Sequence, residues 1–193
     1  MASNFGKTIQ VSTFGASHGY AIGGIVEGLP CGHTIDIDEL SAFLKRRAPG
    51  QNQLQTQRKE ADVPEFLAGM VDGMLSGSPL AFMIRNTSQH SGDYNNLRDI
   101  PRPSHADFTA RMRYGDKVDM RGGGHFSARL TAPLCVAGGI ALQLLREKGI
   151  EIHGHLKQVG TIQDTPIDMV HPDMKALREI ATEPIAMLDA DKP

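Results

Sequence analysis

Tryptophan is absent from this chain of 193 residues, and aromatic residues make up only 5% of it. Nucleic-acid binders stack bases on aromatic side chains set among basic ones, and here the aromatics do not interleave with the cations; nucleic acid is excluded as the expected partner. Only two cysteines occur, Cys31 and Cys135, in no metal-ligand spacing. HExxH and CxxC are missing as well, so no metal site is expected and both thiols suit a reducing compartment. The first residues, MASNFGKT, carry no apolar core of a secretory signal. A long apolar run without charge, Leu130 to Leu145, holds one proline and two glycines and is shorter than the roughly 18 residues that mark a membrane span. It reads as a buried helix, and the expectation is a cytoplasmic protein that binds no membrane.

Net charge is only −2, which excludes a polyanion binder acting through bulk charge. The charge is nevertheless unevenly placed. Between Lys45 and Arg129 there are 13 basic and 9 acidic residues, while the rest of the chain has 7 and 13. Ten of the twelve arginines fall in that window, several beside Gly, Pro or His. Arginine matches carboxylate and phosphate oxygens two at a time, so the window points to an anionic small molecule.

The pattern predicts strands at 8–14 and 21–29, then a helix capped by Asp38 and running to Arg47. It predicts a polar loop at 51–64 and paired strands at 66–74 and 80–85. A long segment without period covers 86–106, and a short helix covers 107–114. A long helix from about Ala132 to Lys148 has Thr131 as cap candidate; a strand at 151–162 and a helix at 172–182 follow. Strands in hairpin-like pairs argue for an α+β fold and a single domain over residues 1–193.

Five stretches carry candidate chemistry. Gly15-Ala16-Ser17-His18-Gly19 satisfies G-x-S-x-G, which makes Ser17 a candidate nucleophile. That reading needs a helix after the turn, and a β-branched, glycine-rich stretch follows instead. The turn then presents His18, whose imidazole transfers protons near neutral pH. In Arg102-Pro103-Ser104-His105-Ala106-Asp107, Asp107 is placed to orient His105, or else Ser104 or Asp107 caps a helix. Arg121-Gly-Gly-Gly-His125-Phe126-Ser127-Ala-Arg129 offers glycines that can turn backbone N–H groups toward an anion, or a plain hinge. Lys45-Arg46-Arg47 closes a helix where basic residues belong, and serves as a ligand clamp only if the fold sets another anion site beside it. His153-Gly-His155 places two imidazoles on one face of the strand expected there, without a third ligand.

Taken together, FGASHG, RRAPGQ, RPSHADFT and RGGGHFSARLTA resemble the N-terminal half of the chorismate synthase family in order and spacing. The resemblance implies a β-α-β sandwich of antiparallel sheets with helices between them, assembled as a homotetramer when full length. It implies conversion of 5-enolpyruvylshikimate 3-phosphate to chorismate by 1,4-anti-elimination of phosphate, with reduced FMN as cofactor and NADPH as a flavin reductant in some members. His18 and His105 are then the two catalytic acids, and His125, Phe126 and Ser127 occupy the FMN-contacting position. Arg46 and Arg47 match the family's anion-binding basic pair, and Arg121 and Arg129 flank the glycines. The chain departs from the family pattern at Ala16, Ala48, His125, Phe126 and Leu130. Members are about twice as long, so a truncated chain is expected. A non-catalytic phosphate- or flavin-binding fragment and a serine hydrolase using Ser17 are the competing readings.

Overall fold

The computed structural model describes residues 3–48, 62–87, 100–183 and 185–189. The expected loop at 51–64 and the aperiodic segment at 86–106 lie largely outside them. The chain forms two units, Met1–Leu144 and Leu145–Pro193.

The first unit is built on a five-stranded antiparallel sheet in the order β1-β2-β3-β7-β4. The strands are β1 (Asn4–Gly6), β2 (Gln10–Gly15), β3 (Ala21–Glu27), β4 (Glu65–Ala68) and β7 (Leu80–Arg85); between the last two lies a small hairpin, β5 (Met70–Val71) and β6 (Met74–Leu75). The expected continuous strand at 66–74 is thus broken. Gly69 has φ +83°, and the bend returns the chain to form β5.

Strand periodicity sets the sheet's two faces. Val11, Ile22, Val26, Leu80, Phe82 and Ile84 share one face and are buried. Against them pack α1 (Ile37–Arg47), through Leu40 and Leu44, and α3 (Thr131–Arg146), through Ala132, Val136, Ile140 and Leu144. Residues four apart lie above one another on a helix, so each helix presents one apolar stripe. Burial of each larger side chain contributes about 1.5–3 kcal/mol. Gly24 on the inner face makes room for the Phe82 ring, and Gly23 on the outer face for Phe14. Gly139 lets α3 approach Leu40 and Phe43 of α1.

The cap of α1 is Asp36 rather than Asp38: its carboxylate accepts from Glu39 N at 2.9 Å. Gln143 of α3 clasps the same residue, accepting from Asp36 N at 2.8 Å and donating to Asp36 O at 2.9 Å. Thr131 does not cap α3. A short 3-10 turn, Ala128–Leu130, precedes the helix, with Ser127 Oγ accepting from Arg129 N. The stretch Arg121–Arg146 is long and apolar enough to cross a membrane by composition. It is broken, however, at Gly122–Gly124, all with positive φ, and α3 itself has 16 residues with one face in the core. The fold class is α+β, as expected, with helices laid on one face of an antiparallel sheet.

The second unit departs from expectation. No strand covers 151–157; β8 (Gln158–Val159) and β9 (Ile162–Gln163) make a minimal hairpin. Asp164 organises the unit by accepting from Leu188 N at 2.7 Å and Asp189 N at 2.9 Å. Helix α4 (Met174–Ile180) is capped by Asp173, which accepts from Lys175 N and Ala176 N. Its Arg178 bonds Glu151, as does His153 Nε2 at 3.0 Å. His153 and His155 therefore stand on no strand face, and no cluster of metal-ligating residues exists among the described residues.

Candidate active site

Two glycine-bearing segments meet at the end of the sheet. The first is the turn between β2 and β3. Gly15 has φ +99°, and a Cβ there would lie 2.3 Å from Ala21 O, so only glycine lets the chain leave β2 this way. Gly19 N donates to Ala16 O at 3.0 Å and closes the turn around Ser17 and His18. Both are buried, at 1% and 7% exposure.

The second segment is Arg121–Phe126. Gly122, Gly123 and Gly124 all have positive φ, a path closed to other residues without strain. The two segments are stitched together. Ser17 N donates to Gly124 O at 3.1 Å, and Ser17 Oγ reaches Arg121 O and Gly122 O at 3.1 Å each. His125 donates from Nδ1 to Gly15 O at 2.8 Å, while its Nε2 lies 2.5 Å from Ser3 Oγ. Gly122 is packed so closely on the Cδ2–Nε2 edge of His18 that no Cβ fits between them. Ser17 is thus a structural donor to carbonyls, buried and followed by a strand. The geometry of a nucleophile elbow is not present.

Of the glycine N–H groups expected to face an anion, that of Gly123 is already engaged. Gly123 N donates within the loop, to Met120 O at 3.0 Å. Cationic charge comes instead from arginine. Arg47, at the end of α1, and Arg129, in the 3-10 turn, both pair with the buried carboxylate of Asp62. Two guanidiniums on one carboxylate leave these three groups with a formal charge of +1. Arg47 also donates to Ala128 O and to Thr131 Oγ1, each at 3.2 Å. Arg121 grips Asp119 through two bonds of 2.9 and 2.7 Å. The Arg121 hydrogen bond holds the Asp119 carboxyl below its ordinary range against the cost of burial, and the nearby His18 ring acts in the same direction. Arg46 is exposed, its guanidinium over the Phe43 ring.

His105 stands on the approach to α2 (Asp107–Tyr114) and is exposed. Asp107 does not orient it. That carboxylate is held by Arg102 through its backbone N and two guanidinium bonds, which pull its pKa down. His105 Nδ1 instead lies 2.9 Å from Pro103 O. A carbonyl only accepts, so Nδ1 carries the proton and the neutral ring keeps its lone pair on Nε2. The N-cap of α2 is Ala106, without a side-chain cap, so neither Ser104 nor Asp107 fills that role.

Phe126 is exposed and touches both the His125 ring and the Tyr114 ring, with centroids 5.9 and 6.1 Å apart. Ser127 Oγ serves the local turn through Arg129 N. Of the positions departing from the family pattern, Ala48 and Leu130 are buried with the core. Two residues central to the network were not singled out by the sequence. Asp62 sits in a polar stretch and Asn86 directly after β7, and neither belongs to a motif. The only sequence signal for Asp62 was its place among clustered arginines.

The chorismate synthase family model matches residues 9–192. The chorismate synthase of Lancefieldella parvula is 45% identical over 191 residues, covering 98% of this chain and 50% of that protein. That of Ralstonia pickettii is 48% identical over 161 residues, 83% of this chain and 44% of its own length. A crystal structure of chorismate synthase superimposes with a TM-score of 0.66 at 23% identity, over 94% of this chain and 48% of that one, a likeness of fold. The chain spans about half the length of the curated relatives it matches. With a family model matched along nearly its whole length, the chain belongs to the chorismate synthase family.

Proposed function

We propose that this chain carries the acid groups and part of the anion site of a chorismate synthase, converting 5-enolpyruvylshikimate 3-phosphate to chorismate. In that reaction the ring C–O bond to phosphate breaks, a ring C–H bond is lost, and the products are chorismate, phosphate and a proton. The observation that carries the reading is a buried His18, fixed by the glycine loop, beside a network that sets two arginines on one carboxylate.

The residues suit a flavin mononucleotide in kind. The excess cationic charge on Arg47, Asp62 and Arg129 favours a phosphate, and the exposed Phe126 with Tyr114 offers an apolar wall at the end of the glycine loop. Reduced FMN, when bound, supplies electron density to the ring that loses phosphate. His105 is built to exchange a proton at Nε2, because Pro103 O fixes the proton on Nδ1. His18 is held in a single orientation by Gly122 and by the closed turn, so its proton is delivered at one place. Burial strengthens the electrostatics of both His18 and the arginine pair. The same reading places the protein in the cytoplasm, with NADPH as a flavin reductant and a homotetramer as the assembled full-length form.

The test is anaerobic mixing of the chain with chemically reduced FMN and 5-enolpyruvylshikimate 3-phosphate, with chorismate followed by absorbance. The expected result is turnover lost in His18→Ala and in His105→Ala. FMN binding without turnover by the folded chain would overturn the catalytic reading and leave a ligand-binding fragment. Covalent labelling of Ser17 by a fluorophosphonate would favour the hydrolase instead.

A further inference from the structure

Asn86 follows β7 directly and is 8% exposed. Its side-chain amide has two N–H donors, and both are used: Nδ2 donates to Ala16 O at 3.0 Å and to Gly19 O at 2.8 Å. Those two carbonyls bracket Ser17 and His18. On its other side Oδ1 accepts from Arg129 Nε at 3.2 Å. The backbone N of Asn86 donates to Tyr20 O at 3.1 Å, continuing the ladder between β7 and β3 to the edge of the same turn. The orientation of the amide is therefore fixed. Flipping it would set an NH2 group against a guanidinium and an oxygen against two carbonyls.

Arg129 in turn is held by the buried Asp62, which also holds Arg47. Asn86 is thus the link between the turn that carries His18 and the arginine pair that carries the anion-binding charge. We infer that Asn86 is a positioning residue for His18, registering the histidine turn against the Arg129–Asp62–Arg47 network; its catalytic meaning rests on the reading given under Proposed function. No other side chain of this size donates two hydrogen bonds and accepts a third at this reach. Aspartate has the same shape and keeps the acceptor toward Arg129, but it faces the two carbonyls with an oxygen. Glutamine adds a methylene to a buried site.

The test uses the whole chain with Asn86→Asp and Asn86→Ala. The first readout is the rate at which diethylpyrocarbonate modifies each histidine, located by mass spectrometry. Release of the turn is a local opening, so His18 modification is expected to rise about ten-fold or more in Asn86→Asp while exposed His105 and His171 change by less than about two-fold. The second readout is kinetic. A misplaced acid lowers kcat by about ten-fold or more with KM nearly unchanged, and in a His18→Ala background Asn86→Asp adds less than about two-fold. Unchanged His18 reactivity overturns the inference, and so does an equal rise at all three histidines, which would make Asn86 a support of the whole fold. If Asn86→Ala fails to fold, the isosteric Asn86→Asp decides the matter. If the unmodified chain shows no turnover, the functional reading fails, while the His18 modification rates still settle the role of Asn86.

Discussion

Gly122→Ala places a methyl group where His18 now lies. The residue has φ +59°, and its Cβ would fall 2.4 Å from His18 Cδ2, 2.5 Å from Nε2 and 2.8 Å from Ser17 Oγ. The left-handed backbone alone costs an alanine about 1–2 kcal/mol. Moving a buried ring aside adds about 1–3 kcal/mol, as overpacking does elsewhere. The expected loss of stability is therefore about 2–5 kcal/mol. Gly123→Ala is the matched control. It also has positive φ, at +90°, but its Cβ meets nothing closer than Ser127 Cβ at 3.5 Å, an ordinary contact. Its loss is expected to stay near the backbone term, about 1–2 kcal/mol. The difference between the two variants in urea unfolding thus isolates the contact with His18. The imidazole resonances of His18 should shift in Gly122→Ala and stay in place in Gly123→Ala. A displacement of about 1 Å costs a positioned group roughly a hundred-fold in rate, so turnover should fall with the first variant far more than with the second. Equal destabilisation by both, with the His18 resonances unmoved, would refute the claim that this loop fixes the histidine.

The neighbouring glycines of α3 form a second matched pair. Gly139→Val drives into Leu40 and Phe43, with Leu40 Cδ1 only 2.5 Å from the Cβ position, and should cost about 1–3 kcal/mol in denaturant unfolding. Gly138→Ala meets nothing within 4 Å and should stabilise the chain by up to about 1 kcal/mol through helix propensity. A third prediction concerns pH. Glu151 is pulled from 4.5 to about 2, first by its hydrogen bonds from Arg178 and then by that from His153. A carboxyl depressed in the folded state contributes stability above its unfolded value and loses it as pH falls through the folded one. The gap in unfolding midpoint between the native chain and Glu151→Gln should be constant above about pH 4.5 and close by about pH 2. A gap that persists at the acid end would show that the Arg178 bond to Glu151 is not what anchors α4.

Local chemistry was legible in the sequence wherever one residue type has one use. Helix α2 was read at its observed limits, 107–114, and the basic residues closing α1 stand where the helix dipole favours them. The β-branched, glycine-rich stretch at 21–29 and the apolar run at 80–85 marked β3 and β7 as strands, but Leu80 to Ile84 are all apolar, so which residues face the core shows only in their burial. The glycines at 15 and 122–124 announced backbone turns that only glycine makes without strain, and the family motifs marked His18 from its neighbours. The pairing of charges was not legible. Asp107 lies two residues from His105, yet Arg102 holds it; Asp62 is separated from Arg129 by most of the arginine-rich window, yet the fold buries the two together. An ion pair depends on where side chains end in space, and a buried carboxylate takes the partners that best repay its desolvation. The sequence therefore determined which segments turn, where the main strands and helices of the first unit lie and which histidines merit notice. Only the tertiary structure decided that Asn86 joins the histidine turn to the arginines, because a side-chain amide has no periodicity to betray it. Its role comes from the carbonyls and the guanidinium that the sheet brings within its reach.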